Sequence, residues 1–428
     1  MKIFLLLLLF YLGYTIAAEK PNIVIIYSDD MGYNQLGVTG CRKYKTDAID
    51  SIAKDGVLFT NGYVSGPVCA PSRAGLMTGR YQIRYGYETF TGPISTQIKD
   101  NVGVPVSEIL LPGLLKKANY KTAHIGKWHL GHNAHFHPNK RGVDYFYGFL
   151  SGGHDYFEWD KDKQQKVPIG GGHFLENEKV ISGKGYKTEG LTAKACEYIK
   201  ENKDAPFYLM YAPFNVHSPF EVPEKYIPEG GTVIDGMVVA LDVAVKDILA
   251  TIDECGIRDN TIVFFINDNG GTNKHKNGDL KGFKGSVYEG GVRVPFMLRW
   301  PAKFSAGKVY EQAVIQLDVL PTAAAAAGVT LPADREIDGV DLAPFITGEN
   351  KAEPHKNLFW RHKKQTAVRE GDWKLVVDNG KTFLFNLKKD IGEKKNLSKE
   401  HPEMTSNLSR KLSSWIKEKQ MKHTDAVR

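Results

Sequence analysis

The sequence predicts an α/β protein: a mostly parallel, doubly wound sheet flanked by helices, followed by a smaller antiparallel module with a C-terminal helix. Three observations carry this. Apolar, β-branched runs alternate with segments of helical period through most of the chain. Acidic, amide, basic and imidazole residues stand directly after several of those runs, where open α/β sheets bind ligands. Past Gly348 the texture changes to short strand-like pieces broken by Gly371-Asp372 and Asn379-Gly380 turns, as in antiparallel hairpins.

Residues 1–18 begin with one lysine, continue through an apolar core and end in Ala17-Ala18, the parts of a secretory signal peptide. The 16 residues from Ile3 to Ala18 fall short of the ~20 that span a bilayer. A secreted or periplasmic chain with no stable membrane insertion after cleavage is therefore expected. Asn22 to Tyr27 reads as the first buried strand, and Asp47 to Lys54 as a helix. Leu111 to Asn119 has helical spacing and leads into a strand from Lys121 to Ile125. The helix from Glu189 to Asn202 precedes the strand Phe207 to Tyr211. The helix from Asp235 to Cys255, stopped by Gly256, precedes the strand Thr261 to Ile266. Such βα units wind a parallel sheet with right-handed crossovers. The main domain is expected over 19–345 and the small module over 346–428. Strands at 366–369, 373–377 and 383–386 are expected in that module. Its final helix, 404–419, carries Leu408, Leu412, Trp415 and Ile416 on one face.

At 428 residues, with 42% hydrophobic and 25% charged residues, the chain has the composition of a globular protein, not a disordered one. The formal charge of +7 is uneven: residues 351–428 hold 19 Lys and Arg against 10 Asp and Glu, an excess of nine that leaves −2 for the first 350. A basic module can attract a polyanion at long range, although a solvated face has the same composition. No groove pattern of interleaved basic and aromatic residues suggests nucleic acid.

Two acidic groups follow predicted strands: Asp29-Asp30, and Asn267-Asp268-Asn269-Gly270. Three carboxylates and an amide at one rim make the all-oxygen set that hard divalent cations prefer. Lys127 and His129 follow a third strand, and His217 a fourth, supplying positive charge and proton-transfer groups to an anionic substrate. Lys284 opens the segment Lys-Gly-Ser-Val-Tyr-Glu-Gly-Gly-Val-Arg293, with Lys281 as its rival three residues earlier. Arg293 is assigned a structural role.

The stretch Cys69-Ala-Pro-Ser-Arg73, closed by Thr78-Gly79-Arg80, resembles the type I sulfatases, as do Gly126-Lys-Trp-His129 and His217-Ser-Pro219. The resemblance runs from Pro21 into the basic module. It implies an alkaline-phosphatase-like fold and a Cys69 oxidised to formylglycine by a maturation enzyme. It also implies calcium held by Asp29, Asp30, Asp268, Asn269 and the converted Cys69, with magnesium the alternative that oxygen chemistry leaves open. Consumption of Cys69 would leave Cys41, Cys196 and Cys255, enough for one disulfide at most. Arg73 would orient the nucleophile and Lys127 and Lys284 would bind sulfate. His217 would protonate the leaving oxygen and His129 would take the proton that releases sulfate. His154 and Asp155 are substrate-binding candidates, and His132, His135 and His137 lie in the same connecting segments. The implied substrate is a sulfated polysaccharide or oligosaccharide, attacked at its end, with galactose or N-acetylgalactosamine units first. A phosphodiesterase or phosphonate monoester hydrolase is the alternative on the same fold. A non-catalytic sulfated-glycan-binding protein is the alternative from another class.

Overall fold

Strand β1 (Asn22–Ser28) is Asn-Ile-Val-Ile-Ile-Tyr-Ser with every residue buried, the pattern of a central parallel strand covered on both faces. The computed structural model that shows this describes residues 20–88, 94–159, 172–275 and 277–423. The proposed signal segment lies outside the described residues. β1 pairs in parallel with the strands Phe207–Ala212 and Thr261–Asn267. In chain order the remaining strands of this sheet are β2 (Val57–Phe59), β4 (Lys121–Lys127), β5 (Tyr145–Phe149), β6 (Leu175–Glu176) and β7 (Lys179–Val180). Then come β8 (Phe207–Ala212), β9 (Thr261–Asn267), β10 (Phe296–Arg299) and β11 (Lys308–Tyr310). The ten strands run in the order β11-β2-β10-β9-β1-β8-β4-β5-β6-β7. The block β9-β1-β8-β4-β5 is parallel, while β10 is antiparallel to both neighbours and the β5-β6-β7 edge is antiparallel. A separate short pair joins β3 (Gly62–Tyr63) to β12 (Val314–Ile315).

Alternate residues of β1 feed two cores. Val24 and Ile26 pack with the helices Asp47–Lys54, Lys187–Asn202 and Val233–Glu254. Ile23, Ile25 and Tyr27 pack with Cys69–Thr78, Leu111–Lys116 and Val319–Ala326. The helix expected to Asn119 stops at Lys116, because Asn119 turns with φ +64° to enter β4. β1, β4 and β9 each end one or two residues beyond the apolar run, so that Ser28, Lys127 and Asn267 are still strand, whereas β8 ends at the apolar Ala212. Among the described residues no helix is long and apolar enough to cross a membrane. All four cysteines are free thiols, so the one possible bridge is not formed.

The C-terminal module is a four-stranded antiparallel meander, β13 (Leu358–His362), β14 (Gln365–Glu370), β15 (Trp373–Asp378) and β16 (Lys381–Asn386), with the helix Pro402–His423. Trp415 of that helix stacks on Phe359 at 5.0 Å and meets Tyr81 edge-on at 5.4 Å, tying the helix to the main domain. The sequence reading lacked β13, whose Trp360 donates from Nε1 to Val64 O at 2.7 Å.

A buried charge cluster also fastens the module. Lys374 of β15, fully buried, bonds Glu289 at 2.8 Å and lies 3.2 Å from Glu393, itself buried. Glu289 is held at about 2 by Lys374, Arg293 and Arg369, against the effect of its burial. Burial, reinforced by Glu289, pushes Glu393 up to about 7. Removing the lysine takes the ammonium from between two buried carboxylates, leaving Glu289 to Arg293 and Tyr63 and Glu393 without its cation. Lys374→Met should therefore cost about 3–5 kcal/mol in urea unfolding; a loss below about 1 kcal/mol would show that the cluster does not fasten the module.

Candidate active site at the carboxyl ends of the central strands

The helix Cys69–Thr78 is buried along its whole length, so its sequence is set by neighbours more than by helix propensity. Pro71 is tolerated in the first turn, where no intrahelical partner for its nitrogen is lost. Ser72 meets Tyr27 Oη at 2.9 Å, and Thr78 donates to Ala74 O at 2.8 Å. Gly79 ends the helix at φ +66°, and Arg80 clamps Glu108 at 2.6 and 2.7 Å. These motif residues thus fix the helix. Cys69, 4% exposed, stands at its start, and Arg73 reaches inward one turn on. Arg73 donates from Nε to Asp268 Oδ2 at 3.1 Å and from Nη1 to Lys127 O at 3.0 Å, with Nη2 3.7 Å from Asp29.

Asp29 and Asp30 close β1, and Asp268 and Asn269 follow β9; because these strands are adjacent and parallel, all four residues meet at one rim. Asp30 takes a left-handed φ of +60°, a strain of the kind stored at functional sites. Its amide donates to Asp268 Oδ1 at 3.3 Å, and Asn269 Nδ2 donates to Asp30 Oδ1 at 2.8 Å. Ligand atoms of Asp29, Asp30, Cys69 and Asp268 all lie within 4.8 Å of one another. Asp29 Oδ1 and Asn269 Oδ1 are buried with no hydrogen-bond partner. Buried acceptors without donors, converging beside three carboxylates, fit a hard divalent cation.

Arg73 and two lysines surround these oxygens. Lys127, fully buried at the end of β4, bonds Asp29 Oδ2 at 2.5 Å, and Lys284 lies 2.7 and 2.8 Å from the two Asp30 oxygens. Lys281 instead donates to Glu393 O and sits 4.2 Å over the Tyr288 ring. Against their burial, Asp29 is held well below the usual carboxylate range, chiefly by Lys127, and Asp30 is lowered by Lys284 and His217. Asp268 goes the other way, raised by burial, Asp29 and Cys69 despite Arg73. A third buried carboxylate among like charges keeps its proton unless a cation offsets the repulsion. Burial also raises the Cys69 thiol, so the unmodified side chain is a poor thiolate.

His217 Nε2 lies 3.7 Å from Asp30 Oδ2, with Nδ1 2.6 Å from Ser218 O. His129 follows Lys127 by two residues with φ +59°, and Gly152 leaves it room: a Cβ there would come within 2.7 Å of its ring. Burial lowers both histidines, His129 strongly with help from Lys127 and Arg73, so both rest neutral near pH 7. His154 and Asp155 are placed differently. His154 is fully buried against Phe149 and Phe174, 3.0 Å from Asp155, and Asp155 also bonds Lys187 at 3.3 Å. His132 is lowered to about 4 by burial, and His137, also buried, is lowered. His135 rests against the Phe136 ring at 4.1 Å.

Sequence reasoning missed two asparagines. Asn267 accepts from Ser28 Oγ and Met31 N and donates to Met31 O at 2.7 Å, stapling the two acidic turns together. Asn215 O accepts from Asp29 N at 2.8 Å, while Val216 N donates to Asp29 O at 2.6 Å. Its buried side chain is gripped by Thr188, Tyr186 and Met237 O. Position at the end of β9 was the available signal for Asn267, whereas Asn215 stands three residues past the end of β8.

The family model described as Sulfatase matches residues 21–329, and that described as N-sulphoglucosamine sulphohydrolase, C-terminal, matches residues 282–422. The mouse N-acetylgalactosamine-6-sulfatase is 35% identical, over 86% of this chain and 75% of its own length. The solved structure of Ps i-CgsB in complex with k-i-k-neocarrahexaose has a TM-score of 0.87 at 35% identity, covering 93% of both chains. A phosphonate monoester hydrolase from Agrobacterium radiobacter shares the fold at 20% identity, with a TM-score of 0.69 over 93% of this chain and 96% of its own. The architecture is alkaline-phosphatase-like, as the sequence resemblance implied. With the matched family covering most of the chain and the motif residues gathered at one rim, this protein belongs to the sulfatase family and is a sulfuric ester hydrolase.

Proposed function

We propose that the protein removes sulfate from the end of a sulfated polysaccharide or oligosaccharide, with galactose or N-acetylgalactosamine units as the first substrates to test. The observation that carries the catalytic reading is the convergence of Cys69, three carboxylates, two lysines, Arg73 and His217 at one buried rim. The sugar class is supported by the relatives, one named for N-acetylgalactosamine 6-sulfate chemistry and one solved with a carrahexaose.

In this reading Cys69 is converted to formylglycine by a maturation enzyme, and its hydrate supplies one hydroxyl to attack sulfur and a second whose deprotonation later expels sulfate. A divalent cation, calcium first and magnesium second, would be held by Asp29, Asp30, Asp268, Asn269 and residue 69, and would acidify the attacking hydroxyl. Lys127 and Lys284 offset the charge that gathers on the sulfate oxygens, already aimed and desolvated before substrate arrives. Arg73, fixed by Asp268 and Lys127 O, holds residue 69 in register with them. His217 donates a proton to the leaving alcohol oxygen. Although burial leaves it neutral at rest, the approaching sulfate dianion-like transition state favours its charged form. His129, kept neutral, accepts the proton from the second hydroxyl. Export to the periplasm or medium, from the N-terminal segment, suits a polymeric substrate. The phosphonate monoester hydrolase reading uses the same fold and metal, and sulfate and phosphonate esters assayed in parallel separate the two. Binding of sulfated glycans without sulfate release, by protein from a maturation-competent host, would instead favour the non-catalytic reading.

Three outcomes are expected. In a maturation-competent host, Cys69→Ala should lower kcat by more than about 1000-fold with an unchanged thermal midpoint; activity within tenfold of the parent would remove the nucleophile assignment. His217→Ala should slow sugar sulfates by about 100-fold or more while affecting activated aryl sulfates far less. Equal losses on both would refute its role as the acid. Prolonged dialysis against EDTA should abolish activity and lower the thermal midpoint, with calcium restoring both. Full activity in metal-depleted protein, verified by elemental analysis, would contradict the cation site.

A further inference from the structure

β8 ends at Ala212, and the segment that follows carries His217 without regular secondary structure. Its place is therefore set by what its backbone groups bond. Two bonds come from the end of β1, where Asp29 N donates to Asn215 O and Asp29 O accepts from Val216 N. A third, from His217 N to Phe214 O at 2.8 Å, lies within the segment and ties it to nothing else. Side chains distant in sequence supply the rest. Tyr156 Oη shares its one proton between Phe214 O at 2.6 Å and His217 O at 3.0 Å, and His275 Nε2 meets the oxygen of fully buried Val216 at 3.2 Å.

The His275 ring is held in one tautomer. Thr272 N, which can only donate, lies 3.0 Å from Nδ1, while Val216 O, which can only accept, faces Nε2. Nδ1 is thus the acceptor and Nε2 carries the proton. Thr272 Oγ1 adds a second contact to Nδ1 at 2.7 Å. His275 is 8% exposed, and burial lowers it, which keeps this neutral form. The turn that bears it is fixed as well: Asn277 Oδ1 accepts from Gly271 N and Tyr33 N, each at 3.2 Å, and Lys284 N donates to Gly271 O at 2.9 Å. Gly271 makes room for the ring's own backbone, since a Cβ there would come within 2.5 Å of His275 Cβ. His275 is therefore a rigid arm that reaches from the turn after Asn269 to the residue before His217.

We propose that His275 is a positioning residue for His217: its Nε2–H holds Val216 O and so sets the neighbouring imidazole against Asp30 and the acidic turn of β9. This rests on the reading of His217 as the acid and adds to it the group that aims that acid. No proton passes through His275. Its part is geometric, and a misplacement of about 1 Å in a reacting group can cost about 100-fold in rate. The cost falls only on steps that need the proton. A sugar alcohol is a poor leaving group and needs it, whereas an activated phenol departs as its anion.

The test uses His275→Ala, His275→Asn and His275→Gln in the matured full-length enzyme, with Asn273→Ala as an exposed control in the same turn. Each is assayed on para-nitrophenyl sulfate and on the sulfated galactose or N-acetylgalactosamine saccharide that the parent desulfates with the highest kcat/KM. Asparagine can keep the contact to Thr272 without reaching Val216 O, whereas the glutamine Nε2 can replace the lost donor. His275→Ala and His275→Asn should lower kcat on the sugar sulfate about 30-fold, with KM and the aryl sulfate rate within about threefold, and His275→Gln should stay within about fivefold of the parent. Asn273→Ala should match the parent. Added to His217→Ala, His275→Ala should cost less than about twofold more, because the donor it aims is already gone. Equal losses on both esters, a glutamine variant as slow as the asparagine one, or a full further loss in the double variant would overturn the positioning role while leaving the acid reading intact. Equal losses on both esters in His217→Ala alone, or a parent that turns over only the aryl ester, would overturn the acid reading and the positioning role with it. Thermal midpoints show whether each variant is folded, and the asparagine and glutamine pair decides the matter if alanine at this position is not tolerated.

Discussion

Three carboxylates forced into one dry corner are the constraint around which this protein is arranged. Asp29, Asp30 and Asp268 would repel one another strongly at such spacing, and the chain spends Lys127, Arg73 and Lys284 to hold them there. The compensation is incomplete, since Asp268 is pushed toward its protonated form and two buried oxygens lack donors. The converging carboxylates and the two acceptors without donors are the oxygen set on which the proposed divalent cation would sit, and Lys127, Arg73 and Lys284 would then be the positive groups that face an anionic ester.

The fold supplies this corner cheaply because β1 and β9 are adjacent, parallel and in register, so that Ser28 sits opposite Asn267 and the two acidic turns begin at the same height. β8 and β4 then bring His217 and Lys127 from the other side. Gly126 lets β4 approach closely: its φ is +118°, and a Cβ there would fall 2.0 Å from Ala212 O. The C-terminal module adds the outer brace. Glu393 receives the amide of Glu289 through its carboxylate and the Lys281 ammonium through its carbonyl, so the turn that presents Lys284 is anchored at both ends.

Much of this was legible in the sequence. Strands such as Ile23 to Tyr27 declare themselves because a parallel central strand must be apolar on both faces, and the residues that follow them must be near ligand. The Cys69 helix was not read as a helix, since Cys-Ala-Pro-Ser-Arg-Ala-Gly has little intrinsic propensity and gains its shape from complete burial. Lys284 could be preferred to Lys281 by spacing, but the cage that holds Lys281 is completed by Glu393, which is distant in sequence. His154 is a substrate-binding candidate from the family resemblance, because it lies in a connecting segment of the kind that builds substrate subsites. Its aromatic surroundings come from Phe149 and Phe174, one of them on another loop, and no local pattern reveals them. Asn215 acts through its backbone carbonyl, which sequence reading cannot rank above that of any neighbour.

The proposed chemistry would require residue 69 to leave the pool of ordinary cysteines. A buried thiol with a raised pKa can neither attack sulfate readily nor release it afterwards, whereas an aldehyde hydrate does both. Peptide mass spectrometry of the segment containing position 69, on protein purified from its native host and shown to be active, is the most direct measurement. The account predicts the aldehyde mass in the active fraction; an unmodified thiol throughout fully active material would contradict it.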